Sequence, residues 1–274
     1  MNRKGKTMND HKQPFEGENE QDLQADMKGD ISEIEVENDA IAYIDEDQLL
    51  KSQKPGLGLF SRFTKAITEP AAMIEDVSRV PKLLLPFIVL MILSTLTVLI
   101  NMEGIMELQR QALINAYREN GMKIPSDGFD GMLATTRYFT IAVSGLSAVV
   151  AVALTSVISH LIAGFFGSEG TVKKVMSAFS YAYIIPLSGA ILGAVVSVLA
   201  GIDYVSFGPA MILGVEQMGT PMYSLLAALD IFSLWYVGIS ILCIKKIEEI
   251  SVAKASICVL IPYMAGIIIN IIAS

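Results

Sequence analysis

The sequence predicts an all-α membrane protein in which five transmembrane helices form a bundle, preceded by a disordered acidic tail and cytoplasmic amphipathic helices. Three observations predict it. Of 274 residues, 53% are hydrophobic and the mean hydropathy is +0.52, above the roughly 45–50% apolar share of soluble domains. The apolar residues gather after Leu83, whereas residues 1–82 are mostly polar. After Leu83 they form five runs, each close to the ~20 residues that a hydrocarbon core of ~30 Å requires.

Residues 1–55 read as the tail. "MNRKGKTMNDHKQPF" is basic but leads into acidic sequence, with no apolar stretch and cleavage site of a secretory signal, so the amino terminus is expected in the cytosol. From Glu16 to Asp47 there are thirteen Asp or Glu against the single Lys28. Such a segment cannot bury enough apolar surface to offset its ordering entropy. A solvated tail is the first reading, and a strip that folds on a basic partner through "ISEIEVENDAIAYI" is the second. The tail explains the pI of 4.9.

Residues 56–82 read as amphipathic interfacial helices. "GLGLFSRFTKAITEP" places Leu59, Phe60, Phe63 and Ile67 on one helical face, with Arg62, Lys65 and Glu69 largely off it. That pattern suits a helix lying on a leaflet. Pro70 interrupts it, and "AAMIEDVSRVPK" repeats the design with Met73, Val77 and Val80 until Pro81 turns the chain toward the bilayer.

The membrane domain, 83–274, has its spans at about 83–101, 139–163, 180–201, 222–244 and 253–273. Lys and Arg near span ends give the orientation. One side holds six between Lys51 and Lys82, then Lys173, Lys174, Lys245, Lys246 and Lys254; the other holds Arg110, Arg118, Lys123 and Arg137. Eleven against four predicts a multi-pass cell membrane protein with its amino terminus cytoplasmic and its carboxyl terminus extracytoplasmic. In the long outer loop, "EGIMELQRQALINAYREN" aligns Ile105, Leu108, Ala112 and Ala116, which predicts a surface helix.

Lipid tails are as apolar as Leu, so helices in a bilayer associate through close packing and polar contacts. The second span carries Ser147, Ala151, Thr155, Ser159, Ala163 and Gly167 at every fourth position, and the third carries Gly189, Gly193, Ser197 and Gly201. Packing of one ridge against the other is expected. The ridges are read as intramolecular glue ahead of a dimer face, with a homo-oligomer left open.

Few residues offer chemistry. Cys243 and Cys258 match no metal spacing and read as inert thiols. His11 lies in the tail; His160, near the inner end of the second span, reads as a packing or interface residue. HExxH, GxSxG and GxxxxGK are absent from the sequence. Glu248 and Glu249 resemble an EExxxR protease signature, but Lys254 comes one position late and no histidine lies in a later span. The reading is therefore no enzyme, no cofactor and no metal.

The residues also resemble a known family. "LFSRFTKAITEPAAMIEDVSRVPKLLLPFIVL" is similar to the lead-in and first span of the Yip (Ypt/Rab-interacting-protein-like) membrane family. "GSEGTVKKVMSAFSYAYIIPLSGAIL" resembles its loop and following span, with Tyr181, Tyr183 and Pro186. "LDIFSLWYVGISILCIKKIEEISVAKA" resembles its fourth span and loop, with Asp230, Trp235, Ser251 and Lys254. The resemblance covers roughly 56–274. It implies a five-span, noncatalytic protein, of the bacterial kind more than the kind that serves Rab-type GTPases. The acidic tail is no part of the family pattern.

Two functions follow as expectations. The first is a noncatalytic adaptor or assembly factor, assisting a transport or export complex through an unidentified membrane or cytosolic protein, with the lipid bilayer as its other partner and no nucleic acid. The second is a small permease or proton-linked carrier using Asp230. On a continuous helix Asp230 shares its face with Tyr223, Ala227, Ser233, Val237 and Ser240, while Trp235 points elsewhere. An Asp at mid-bilayer costs on the order of 2.5–3.5 kcal/mol, so it is expected to find a hydroxyl or to protonate. His160 lies too far along the bilayer normal to be its partner.

Overall fold

The computed structural model describes residues 56–123, 129–214, 217–218 and 220–273, all helix or connection without a strand. The acidic tail lies outside them. Helix α1 (Leu59–Thr68) and helix α2 (Pro70–Arg79) are separated by Glu69 alone. The proline ring drives the residue before it out of the helical region, so Glu69 (φ −141°) ends α1 while Pro70 starts α2 in a position that needs no N–H. Val80, before Pro81, ends α2 in the same way.

Both helices pack on protein rather than resting on one apolar face. Phe63, Ala66, Met73, Ile74 and Val77 are buried, as are Arg62 and Asp76. This corrects the sequence-derived face of α1: Arg62 points inward and Phe60 is 81% exposed. A helical projection cannot foresee that Asp76, fourteen residues on, neutralises the guanidinium and permits its burial. After α2, Lys82 N–H donates to Ser177 Oγ at 3.1 Å and Ser177 Oγ–H donates back to Lys82 O at 2.7 Å.

Helix α3 (Leu84–Ile100) meets α4 (Met102–Glu119) at a bend of 74°. Asn101 Nδ2 at the bend donates to Asp203 O at 2.7 Å, and α4 covers the stretch of the long loop for which the sequence predicts a helix. Helix α5 (Phe129–Gly164) starts ten residues before the expected second span, since "FDGMLATTRY" continues the helix. Helix α6 (Val172–Ala182) and α7 (Ile184–Ala200) form one apolar stretch with a break at Tyr183. Pro186 has no N–H for the Ala182 carbonyl, which accounts for the break. The stretch starts eight residues before position 180, at the end of the short loop.

Then come α8 (Ala210–Leu213), α9 (Pro221–Ala227), α10 (Ile231–Ile247) and α11 (Val252–Ala273). The expected continuous fourth span, 222–244, is corrected: α9 and α10 meet at 58° across Ala228–Asp230. Three stretches, Gly131–Gly164, Val172–Ala200 and Val252–Ile272, are long and apolar enough to cross a membrane, and counting each bent pair as one span gives up to five.

Helix α5 packs on α3, α6 and α11, and α7 packs on α3 and α10. The expected ridge-on-ridge packing of α5 against α7 does not occur. α3 lies between them, at a close approach on Gly145, where a Cβ would stand 2.8 Å from Met91 O and from Thr95 Oγ1. Glycine there admits a neighbouring backbone, which a search at every fourth residue from Ser147 passes over. The main core lies at the end carrying α1 and α2, built from those helices with α6, α10 and the near ends of α5 and α11.

Candidate functional site

Buried charge gathers at two nodes near the α1–α2 end. In the first, Arg62 Nε donates to Asp76 Oδ2 at 2.7 Å and Arg62 Nη2 donates to Val80 O at 2.9 Å. Asp76 Oδ1 accepts from Leu57 N at 3.0 Å. The guanidinium sits 5.4 Å from the centroid of the Tyr181 ring, which Phe63 meets edge-on at 4.9 Å. Tyr181 is thus the anvil on which α1 and α2 are fastened.

The second node joins His160 of α5 to Glu248, just past α10, with Nδ1 and Oε1 2.7 Å apart. Glu248 is wholly buried, and its Oε2 has no hydrogen-bond partner. That oxygen lies against Gly170, where any Cβ would collide with it and with Ile247 O. Sequence reasoning misses the pair: it reads His160 as a packing or interface residue and Glu248 as half of an incomplete protease signature. Eighty-eight residues separate them, and no local spacing signals the contact.

A third polar node surrounds Asp230. Its Oδ1 accepts from Phe232 N at 3.0 Å and Ser233 N at 3.2 Å, and its Oδ2 accepts from Phe207 N at 3.1 Å. Asp230 is therefore the N-cap of α10 and a staple for the 202–209 connection. This corrects its placement in mid-helix, its hydroxyl partner and the shared stripe with Tyr223, Ala227, Ser233, Val237 and Ser240. Short carboxylates compete for neighbouring N–H groups and open a helix at their own position. Gly208 packs on the Asp230 backbone, where a Cβ would stand 2.9 Å from its Cα. The Tyr263 hydroxyl of α11 donates to the Ala228 carbonyl freed by the break. Burial first, and the Asp230 charge second, push the Tyr204 phenol above its ordinary value.

The other predicted residues divide among these settings. Gly189 packs under Phe232, where a Cβ would stand 2.5 Å from the ring, and at Gly193 a Cβ would stand 2.8 Å from Val205 O. Gly201 ends α7 at φ +66° in a left-handed turn, with Ile202 N–H donating to Ser197 O at 3.0 Å, so it is a helix stop rather than part of a ridge. Ser197 and Ser159 are buried; Ser147 and Ala151 are exposed, and Thr155 is half-buried. Trp235 is 42% exposed. Tyr183 meets Tyr236 edge-on at 5.6 Å. With Pro186 and Ala151 it lines a groove of about 820 Å³ between α3, α5 and α7. Cys243 and Cys258 are free and buried. Among the described residues no three His, Cys, Asp or Glu stand together as metal ligands.

Comparison with known families decides the kinship. The family model described as the Yip1 domain matches residues 64–273. The chain belongs to the Yip1-domain family. No curated protein and no solved structure matches it significantly. The Yip1 domain takes in α2 to α11 and the second half of α1, and with them the His160–Glu248 and Asp230 nodes; of the first node it includes Asp76 but not Arg62. Its family is one of noncatalytic membrane proteins.

Proposed function

We propose that this Yip1-domain protein is a noncatalytic adaptor or assembly factor of the cell membrane. It crosses the bilayer five times, with a cytoplasmic amino terminus and an extracytoplasmic carboxyl terminus, and assists a transport or export complex. The observation that carries the reading is the commitment of every node to a joint between helices. Arg62–Asp76 fastens α1 to α2, His160–Glu248 fastens α5 to the α10–α11 turn, and Asp230 fixes α10 to the preceding connection. Charges held this way do not face substrate. The same joints hold out an end with Phe60 and Phe165, 81% and 88% exposed, and the exposed Lys82, Lys173, Lys245, Lys246 and Lys254. Such an end suits contact with lipid headgroups and with a partner protein.

Affinity purification of the full chain in mild detergent tests the proposal. An adaptor brings down a partner at fixed stoichiometry, and the partner is lost on Phe60→Ala with Phe165→Ala. The alternative is a small permease or proton-linked carrier working through Asp230. Three backbone N–H donors already occupy that carboxylate, which counts against it. Solute flux into liposomes from the purified protein, abolished by Asp230→Asn, would overturn the adaptor reading.

A further inference from the structure

Two turns meet below the His160–Glu248 pair and make one surface. Gly170, in the turn between α5 and α6, lies against Ile247 O and the Glu248 carboxylate at the start of the α10–α11 turn. Across the same junction Lys254 Nζ sits over the Phe166 ring, 5.6 Å from its centroid. The level of this surface follows from the apolar stretches that end at it. Phe165 is the first residue after Gly131–Gly164, Lys173 is the second of Val172–Ala200, and Lys254 is the third of Val252–Ile272. At ~1.5 Å per residue, each stands within about 5 Å of the end of a stretch that can cross a membrane. That is headgroup depth.

The surface is basic and carries one ring. Lys173, Lys245, Lys246 and Lys254 are exposed and Lys174 is half-buried, against the exposed Glu169 and Glu249, while Glu248 is turned inward onto His160. Phe165 is 88% exposed in an ordered turn. The N–H groups of Phe165, Phe166 and Gly167 donate to Ile162 O, Ala163 O and Gly164 O, and Gly167 adopts φ +74°. The turn thus holds a phenyl ring clear of the protein. At the edge of a bilayer such a ring reaches hydrocarbon while neighbouring ammonium groups reach phosphate.

We propose that this surface binds an anionic phospholipid, one whose phosphate has no amine beside it, such as phosphatidylglycerol. Lys173 and Lys254 meet the headgroup and Phe165 enters the acyl region. Basic groups at the membrane surface favour anionic lipid, whereas phosphatidylcholine brings its own cation to the phosphate. The site rests on the bilayer placement proposed above but needs no protein partner, so the purified chain tests it apart from the adaptor reading.

Fluorescence of the full chain in vesicles mixing the two lipids is the test. Trp235 is the single tryptophan, so Phe165→Trp with Trp235→Phe moves the reporter to the turn. Brominated phosphatidylglycerol should quench that reporter more than brominated phosphatidylcholine at equal bromine content, with a local enrichment of roughly fivefold, about what one lysine contact supplies. Wild-type Trp235, twelve residues before Ile247 on α10 and so roughly 18 Å away, should show no preference. Lys173→Gln with Lys254→Gln should abolish the preference at the turn and leave quenching by both lipids in place. Lys245→Gln with Lys246→Gln should reduce it, and serves if the first pair fails to fold. Raised salt should shrink it as well. Equal quenching by the two lipids at low salt overturns the proposal. So does a preference that survives both lysine pairs, a preference that wild-type Trp235 shares, or a turn reporter that neither lipid quenches because water or a second copy covers it.

Discussion

His160 and Glu248 meet at 2.7 Å across 88 residues of sequence, and the meeting locks the end of α5 to the turn between α10 and α11. The carboxyl is wholly buried while the imidazole keeps partial exposure. Breaking a buried pair by removing one partner costs about 3–5 kcal/mol. Glu248→Ala should therefore lower the melting temperature in detergent sharply, and Glu248→Gln, which keeps a hydrogen bond, should lower it less. In a double-mutant cycle with His160→Ala, a coupling near zero would show that the two do not act together.

The Arg62–Asp76 pair makes the same kind of prediction with a different remedy. Arg62→Ala leaves the buried Asp76 with only the half-exposed Arg79 guanidinium, 3.8 Å away, to offset its charge, and Asp76→Ala strands a guanidinium whose remaining hydrogen bond is to Val80 O. Each should cost about 3–5 kcal/mol, whereas Arg62→Met with Asp76→Leu together should come close to neutral. Limited proteolysis after Arg79 should speed up in the single variants, as α1 and α2 lift from Tyr181. Unchanged cleavage in both single variants would mean that the helices are held by apolar packing alone.

Asp230 separates two roles of one carboxylate. Asp230→Asn keeps an oxygen for the N–H groups of Phe232 and Ser233, but turns an NH2 toward the Phe207 N–H. Its cap survives and its staple fails. Hydrogen exchange should rise at Phe207 with little change at Phe232. Asp230→Leu loses both and should cost about 1–2 kcal/mol for the cap alone. Equal exchange at Phe207 in Asn and wild type would show that the staple carries no weight.

What the sequence made legible follows from periodicity and punctuation. Pro70 and Pro81 mark the ends of α1 and α2, and the apolar runs place the main helices to within a turn or two at most ends. The failures share a cause. Asp230 sits in an apolar run that hydropathy treats as uniform, although a carboxylate in such a run has backbone N–H groups as its nearest partners, a signal that could have been read. Arg62, His160 and Glu248 could not be paired in advance, since each depends on tertiary contacts across 14 or 88 residues. Gly201 falls into a ridge by spacing alone because small residues serve equally as packing surface and as helix terminators.

Two mid-helix glycines separate close packing from open space. At Gly145 an added Cβ meets Met91 O and Thr95 Oγ1, both at 2.8 Å, and the neighbour at fault is backbone that cannot swing away. At Gly238, inside α10, nothing stands within 4 Å. Ala is a better helix former than Gly by about 0.8–1.0 kcal/mol. Gly238→Ala should accordingly be neutral or stabilising, and Gly145→Ala should destabilise despite the same gain in propensity, because α3 must move off α5. Overpacking of this kind typically costs about 1–3 kcal/mol. Paired thermal melts in one detergent measure the contrast, and a Gly145→Ala protein as stable as Gly238→Ala would mean that α3 and α5 do not approach through this residue.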